Sequence, residues 1–133
     1  MIYEFNVRTN EHSQILDITH KIRAIVKESG VRNGLAFVFI PHTTAAVTIN
    51  ENADPDVKTD FLMEFEKIVP WEDGYRHMEG NAAAHLKATM TGFSETIIIE
   101  ENELLMGTWQ GVWFTEYDGP RTRRVIVKIL ESK

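Results

Sequence analysis

The sequence has no cysteine among its 133 residues. A disulfide scaffold and a thiolate metal site are therefore excluded. Long apolar runs are missing as well. None approaches the roughly 20 residues that a membrane helix requires, so no membrane partner is expected. The opening stretch MIYEFNVRTN lacks a charged segment followed by an apolar one. We therefore expect no signal peptide and a soluble, cytoplasmic chain. Basic residues are in deficit, 14 against 20 acidic, for a formal net charge of -6. That argues against a nucleic-acid partner, which would need a basic face. It leaves room for a small anion held by a few local donors. Repeats, low-complexity tracts and linkers rich in Gly, Pro or Ser are absent too, which predicts one domain over residues 1–133.

What the chain does have is a hydrophobic share of 43%, ample for a core. Ile2 to Thr9 alternates as a first strand. Ile15 to Ser29 reads as a helix, with Asp17 as N-cap, Ile18, Ile22, Ile25 and Val26 on one face, and Gly30 as its stop. The nearly unbroken apolar run GLAFVFIP from Gly34 predicts a central strand buried on both faces. Thr44 to Asn50 continues as another strand. Asp54 followed by Pro55 is an N-cap with proline at the first helical position, and Val57, Phe61, Phe65 and Ile68 form the apolar stripe of that helix. Asn81 to Thr91 is a second short helix, rich in alanine and stopped by Gly92. The last third is strand-rich: Glu95 to Glu100, then Gly111 to Tyr117 and Thr122 to Leu130 joined by the turn DGPR. Segregated helices and strands of this kind predict an α+β fold.

Polar chemistry gathers where these elements meet. The stretch HTTAAVTINENADPDVKTDF starts with His42, Thr43 and Thr44, and passes Asn50 and Glu51 at the end of a strand before Asp54 caps a helix. His77 and His85 flank MEGNAAA, so Glu79 and Asn81 fall between them. Three histidines are the number of protein ligands in many catalytic zinc sites, which keep one position open. The spacing is not HExxH, and on spacing alone ordinary surface or hydrogen-bonded histidines fit it better. His12 and His20 have no carboxylate-rich loop beside them. In GTWQGVWFTEYDGPRTRRV, glycines bracket Trp109 and Gln110, and Glu116 faces Arg121 across the turn. Arg121 then either closes a cross-strand ion pair or forks onto a phosphate.

The segments PHTTAAVTINENADPDVKTD, YRHMEGNAAAHLKATMTG and GTWQGVWFTEYDGPRTRRV, in this order, resemble the YjbQ-like family of small bacterial and archaeal proteins. The likeness spans essentially the whole chain. It implies a compact α+β domain with a β-sandwich and two to three helices, assembled as a homotrimer. It also implies a weak activity as a secondary thiamine-phosphate synthase. Residue by residue, the resemblance places the family's histidines at His42, His77 and His85. It places the acidic and amide positions at Glu51, Glu79 and Asn81, and the tryptophan, amide and arginine positions at Trp109, Gln110 and Arg121. Some relatives carry acidic or amide residues before the second of the paired histidines. Here that stretch is NAAA, so no acidic ligand is carried over to it.

These readings converge on a metal-assisted enzyme acting on a phosphorylated small molecule. His42, His77 and His85 are the expected ligands of a divalent ion. Three imidazoles suit zinc better than magnesium, which prefers oxygen and would enter with a diphosphate substrate. Glu51 and Glu79 are the candidate acid–base groups. Arg121 is expected to stabilise charge on departing phosphate. Thr43, Thr44, Asn50, Asn81, Trp109 and Gln110 are the expected substrate contacts. In thiamine-phosphate synthesis, pyrophosphate leaves a pyrimidine methylene as a thiazole phosphate nitrogen attacks it. A phosphometabolite hydrolase or isomerase is one alternative, and a non-catalytic metal- or metabolite-binding trimer is another.

Overall fold

Alternating side chains along each strand divide a sheet into two faces, and burial of those faces decides how sheets stack. The computed structural model describes residues 1–133. Its elements run β1 (Ile2–Arg8), β2 (Gln14–Asp17), α1 (Thr19–Ser29), β3 (Gly34–Phe39), β4 (Ala45–Glu51), α2 (Pro55–Ile68), α3 (Ala82–Thr91), β5 (Ser94–Glu100), β6 (Glu103–Leu104), β7 (Gln110–Glu116) and β8 (Thr122–Glu131). Five strands form one sheet in the order β1-β8-β3-β5-β6, and three form a second in the order β2-β7-β4. All pairings are antiparallel. The α+β sandwich expected from the sequence is what the chain forms.

The main core lies between the two sheets. Ala36, Val38, Ile97, Ile99, Val125, Val127 and Ile129 come from the larger sheet, and Val47, Val112 and Phe114 from the smaller. Helix α1 adds Ile22, Ile25 and Val26 to the same cluster. A second cluster covers the far face of the smaller sheet, where Phe65 of α2 and Ala83, Ala84 and Ala88 of α3 meet Ala46 and Tyr117. The alanines matter for position. With only methyl groups between them, α3 can come close to β4, and this holds the start of α3 beside the start of that strand.

Three expectations need correction. The helix expected from Ile15 begins at Thr19, because Gln14–Asp17 pairs with β7 instead. Asp17 still serves the helix start: its carboxylate accepts from the Thr19 backbone N–H at 2.9 Å and from the Thr19 hydroxyl at 2.5 Å. Strand β3 is central in its sheet, yet Leu35, Phe37 and Phe39 on its outer side are 37–38% exposed. The strand buried on both faces is β7, enclosed by the two core clusters. Finally, β7 and β8 are not a hairpin. They belong to different sheets, and residues 117–121 form a corner between them. The other boundaries follow their local signals. Asp54 caps α2 by accepting from the Asp56 N–H at 2.9 Å, with Pro55 at the first turn. Gly30 ends α1 with φ of 69°, a left-handed conformation that glycine adopts without steric cost.

Candidate functional site

The corner at 117–121 is built on a buried ion pair. Arg123 is in phase with Val125, Val127 and Ile129, so strand alternation turns it inward. Its Nε donates to Glu116 Oε1 at 2.9 Å, and its Nη2 donates to Glu116 Oε2. Glu116 is fully buried and Arg123 is 5% exposed. A buried charge persists only when its partners satisfy it. Glu116 gains two more donors, the Thr9 hydroxyl at 2.9 Å and the Asp118 backbone N–H at 3.0 Å. Gly119 packs against this network. A Cβ there would overlap the Glu11 carbonyl and lie 2.9 Å from Glu116 Cγ and Thr9 Oγ1, so no side chain fits.

Around this corner opens a cleft of about 400 Å³ with no hydrophobic residue in its lining. The link between β3 and β4 supplies Pro41, His42, Thr43 and Thr44. The approach to α3 and its first turn supply His77, Glu79, Asn81 and His85. The corner and β8 supply Asp118, Arg121 and Arg123. Thus His42, His77, His85, Thr43, Thr44, Glu79, Asn81 and Arg121, all read from sequence, share one cleft.

The remaining four do not reach it. Glu51 pairs with Gln110, and Asn50 with Gly111, at the far end of β4 and β7, whereas the cleft lies beyond the Ala45–Glu116 end. Six residue steps of strand put roughly 20 Å between the two ends. Their polar groups have local work instead. Gln110 Oε1 accepts from the Gly107 N–H at 2.7 Å, Asn50 Oδ1 from the Glu51 N–H at 2.7 Å, and the Glu51 carbonyl from Trp113 Nε1 at 3.2 Å. Trp109 is 64% exposed on the tip of its turn.

Within the cleft, His77 and His85 meet edge to face with ring centroids 5.0 Å apart. Two imidazoles on one tetrahedral zinc would have centroids roughly 5 Å apart, so the spacing of the rings alone does not oppose a shared ion. No group of three or more His, Asp or Glu in the chain is arranged to hold a metal. His42 Nε2 is already occupied: it accepts the Arg124 backbone N–H at 2.8 Å. Burial lowers the proton affinity of His42, and the Arg123 charge lowers it further, so its pKa lies below the ordinary imidazole value of 6.5. It is therefore neutral at pH 7, with its proton on Nδ1.

Arg121 does not pair with Glu116, as the turn in the sequence suggested. Its Nη2 donates to Asp118 Oδ2 at 3.1 Å and its Nε to the Asp118 carbonyl at 2.8 Å. Asn81 Nδ2 donates to the same Asp118 oxygen at 3.0 Å, and Asn81 Oδ1 is buried without a partner. Sequence reading missed Asp118, because an aspartate in DGPR is sufficiently explained as a turn residue. It also missed Arg123, although the two-residue period of β8 carried that signal.

Comparison with known proteins shows the family and the fold. The family model described as UPF0047 protein YjbQ-like matches residues 3–132. The chain belongs to this family. The UPF0047 protein YugU of Bacillus subtilis is 47% identical, covering 98% of this chain and 99% of the relative. A UPF0047 protein of Methanocaldococcus jannaschii is 44% identical, covering 100% and 96%. A YjbQ/UPF0047 crystal structure from Clostridium acetobutylicum superposes with a TM-score of 0.95 at 52% identity, covering 96% of this chain and 99% of that one. A YbjQ-like protein from Sulfolobus solfataricus gives 0.95 at 32% identity, covering 99% and 97%. The YjbQ-like fold is therefore shared at full length. No helix of the chain is long and apolar enough to cross a membrane.

Proposed function

We propose that this YjbQ-like protein is a metal-assisted enzyme of the cytoplasm that acts on a phosphorylated small molecule. The observation that carries this reading is the convergence of three chain segments on a cleft lined only by polar groups and Pro41. Water-exposed charges need no such enclosure, and a small anionic ligand does. His77 and His85 would hold a divalent ion, with the remaining positions open to ligand oxygens and water. Two imidazoles favour zinc, and a diphosphate substrate would favour magnesium. Such an ion, when bound, supplies charge neutralisation on phosphate oxygens.

The chain's own residues supply the rest. Glu79 is exposed and makes no hydrogen bond, so it is free to take or give a proton. Asp118 holds Arg121 and Asn81 in place. Within this class we include a weak thiamine-phosphate synthase-like transfer, in which pyrophosphate leaves and a thiazole nitrogen takes its place. Assembly as a homotrimer is supported by the exposed apolar side of β3, which a neighbouring copy would cover.

A turnover assay tests the proposal. Purified protein with zinc or magnesium is offered phosphomonoesters, and separately a hydroxymethylpyrimidine diphosphate with a thiazole phosphate. Turnover lost in His85→Ala and kept in the surface variant Lys67→Ala supports an enzyme. Ligand binding without turnover of any of them would overturn catalysis and leave the binding-protein alternative.

A further inference from the structure

Three side chains in the cleft have their acceptor or carboxylate-facing side consumed from behind. Thr44 Oγ1 accepts from Arg123 Nη2 at 2.8 Å, so its own proton is free to be donated. His42 Nε2 accepts from the Arg124 N–H at 2.8 Å, which leaves Nδ1–H as the only polar edge of the ring available to a ligand. Arg123 spends Nε and Nη2 on Glu116 and Thr44. Its Nη1 makes no hydrogen bond and is not among the sealed, unpartnered atoms, which are Asn81 Oδ1 and Thr115 Oγ1. The same arginine lines the cleft, so Nη1 is its open edge. Each of the three groups therefore has a proton to offer a ligand.

We infer that Arg123, Thr44 and His42 form a preset oxyanion subsite that takes the phosphoryl group of the ligand, a role the sequence had assigned to Arg121. The inference rests on the proposed phosphorylated substrate and names the part of the cleft that reads it. Arg121 is a poorer candidate, since its side chain is half-exposed and only Asp118 orders it, whereas Arg123 is buried against a buried carboxylate. Arg123 is held by a carboxylate that four donors surround, so little ordering remains to be done when an anion arrives. Glu116 is a positioning residue here: it aims the guanidinium and does not touch the ligand. Glu79 stands in the same cleft as an unengaged acceptor. It would oppose a bare dianion and would accept from a hydroxyl or amino group of the ligand. The chemical class that fits is a phosphomonoester carrying such a donor.

The test is titration of inorganic phosphate by calorimetry into wild type, Thr44→Val and Arg121→Ala. Thr44→Val keeps the shape and removes one donor. It is expected to weaken phosphate binding by roughly tenfold, while circular dichroism shows it folded as wild type is at the temperature of the titration. Arg121→Ala is expected to bind phosphate as wild type does. The paired variant Arg123→Met/Glu116→Leu removes the buried charges together, and once circular dichroism shows it folded it is expected to bind no phosphate. Loss of binding in Arg121→Ala with none in Thr44→Val would overturn the subsite while sparing the phosphorylated-ligand reading. Absence of phosphate binding to wild type, together with absence of binding to any phosphomonoester, would overturn both.

Discussion

Replacing Arg123 by alanine would strand a carboxylate that has no exposure to water. Glu116 is 0% exposed, and Arg123 supplies both of its charge-assisted contacts from a side chain that is 6% exposed. Removing one partner from a pair of this kind costs about 3–5 kcal/mol, mainly because the survivor is left charged and buried. At about 3–5 °C per kcal/mol for a domain of this size, that is a fall in midpoint of roughly 10–20 °C. Removing both charges behaves differently. In Arg123→Met/Glu116→Leu the desolvation problem disappears, but the Thr9 hydroxyl and Asp118 N–H lose their shared acceptor, at about 1–3 kcal/mol each if they find no other. The double variant should therefore be more stable than additivity of the singles allows, by at least about 2 kcal/mol. Urea denaturation followed by tryptophan fluorescence, with Trp113 buried beside the core, measures wild type, Arg123→Ala, the singles Arg123→Met and Glu116→Leu, and their double variant. Glu4→Gln is the control, since the Glu4–Arg124 pair lies about half in solvent on the outer sheet face and should not move the midpoint. A cost under about 1 kcal/mol for Arg123→Ala, or a coupling under about 0.5 kcal/mol, would refute the view that this pair builds the corner.

Three further outcomes follow from other parts of the molecule. His42 has a lower pKa folded than unfolded, so its contribution to stability is complete above pH 6.5 and is lost as pH falls through the lowered value; His42→Gln should flatten the acid side of the stability profile, and an unchanged slope would count against this. Zinc titrated into the protein should bind one ion per chain, with His77→Ala and His85→Ala each weakening it by more than about tenfold; elemental analysis showing equal zinc in all three proteins would refute the pair as ligands. Light scattering should give three times the chain mass, and Phe37→Glu, in the middle of the exposed apolar row, should give monomer; a monomeric wild type would exclude the assembly.

Much of the architecture was legible because its signals are local. Asp54 with Pro55, Gly30 after Ser29, and the alanines before Gly92 each act within one turn of helix, and each element lies where these residues put it. The errors share another cause. Gln14–Asp17 is strand only because β7 is beside it. The outer row of β3 has the composition of a doubly buried strand, and the sequence alone does not distinguish burial within a chain from an apolar outer face. The turn DGPR has the chemistry of a hairpin whether or not its two strands join one sheet. In the cleft, histidines and threonines stand out by residue type, so they were found. Asp118 was hidden by its turn role. Arg123 was given no role, although its phase with three buried aliphatic residues marked it as inward. Trp109, Gln110, Asn50 and Glu51 are near the cleft in the order of motifs and a strand's length away in space.

The corner also bears on the order in which this chain folds. Its hydrogen bonds join Thr9 to Glu116 and Thr44 to Arg123, spanning 107 and 79 residues. Closing loops of that length costs chain entropy before any contact is made. The helices and the β3–β5 and β4–β7 ladders can form without these bonds, but the corner requires both sheets to be docked. It should therefore be unformed in the transition state for folding. Thr44→Val and Arg123→Ala would then speed unfolding and leave the refolding rate nearly unchanged. The cleft is completed last and lost first, so its ligand would act as a kinetic clasp, slowing escape from the native state without hastening arrival.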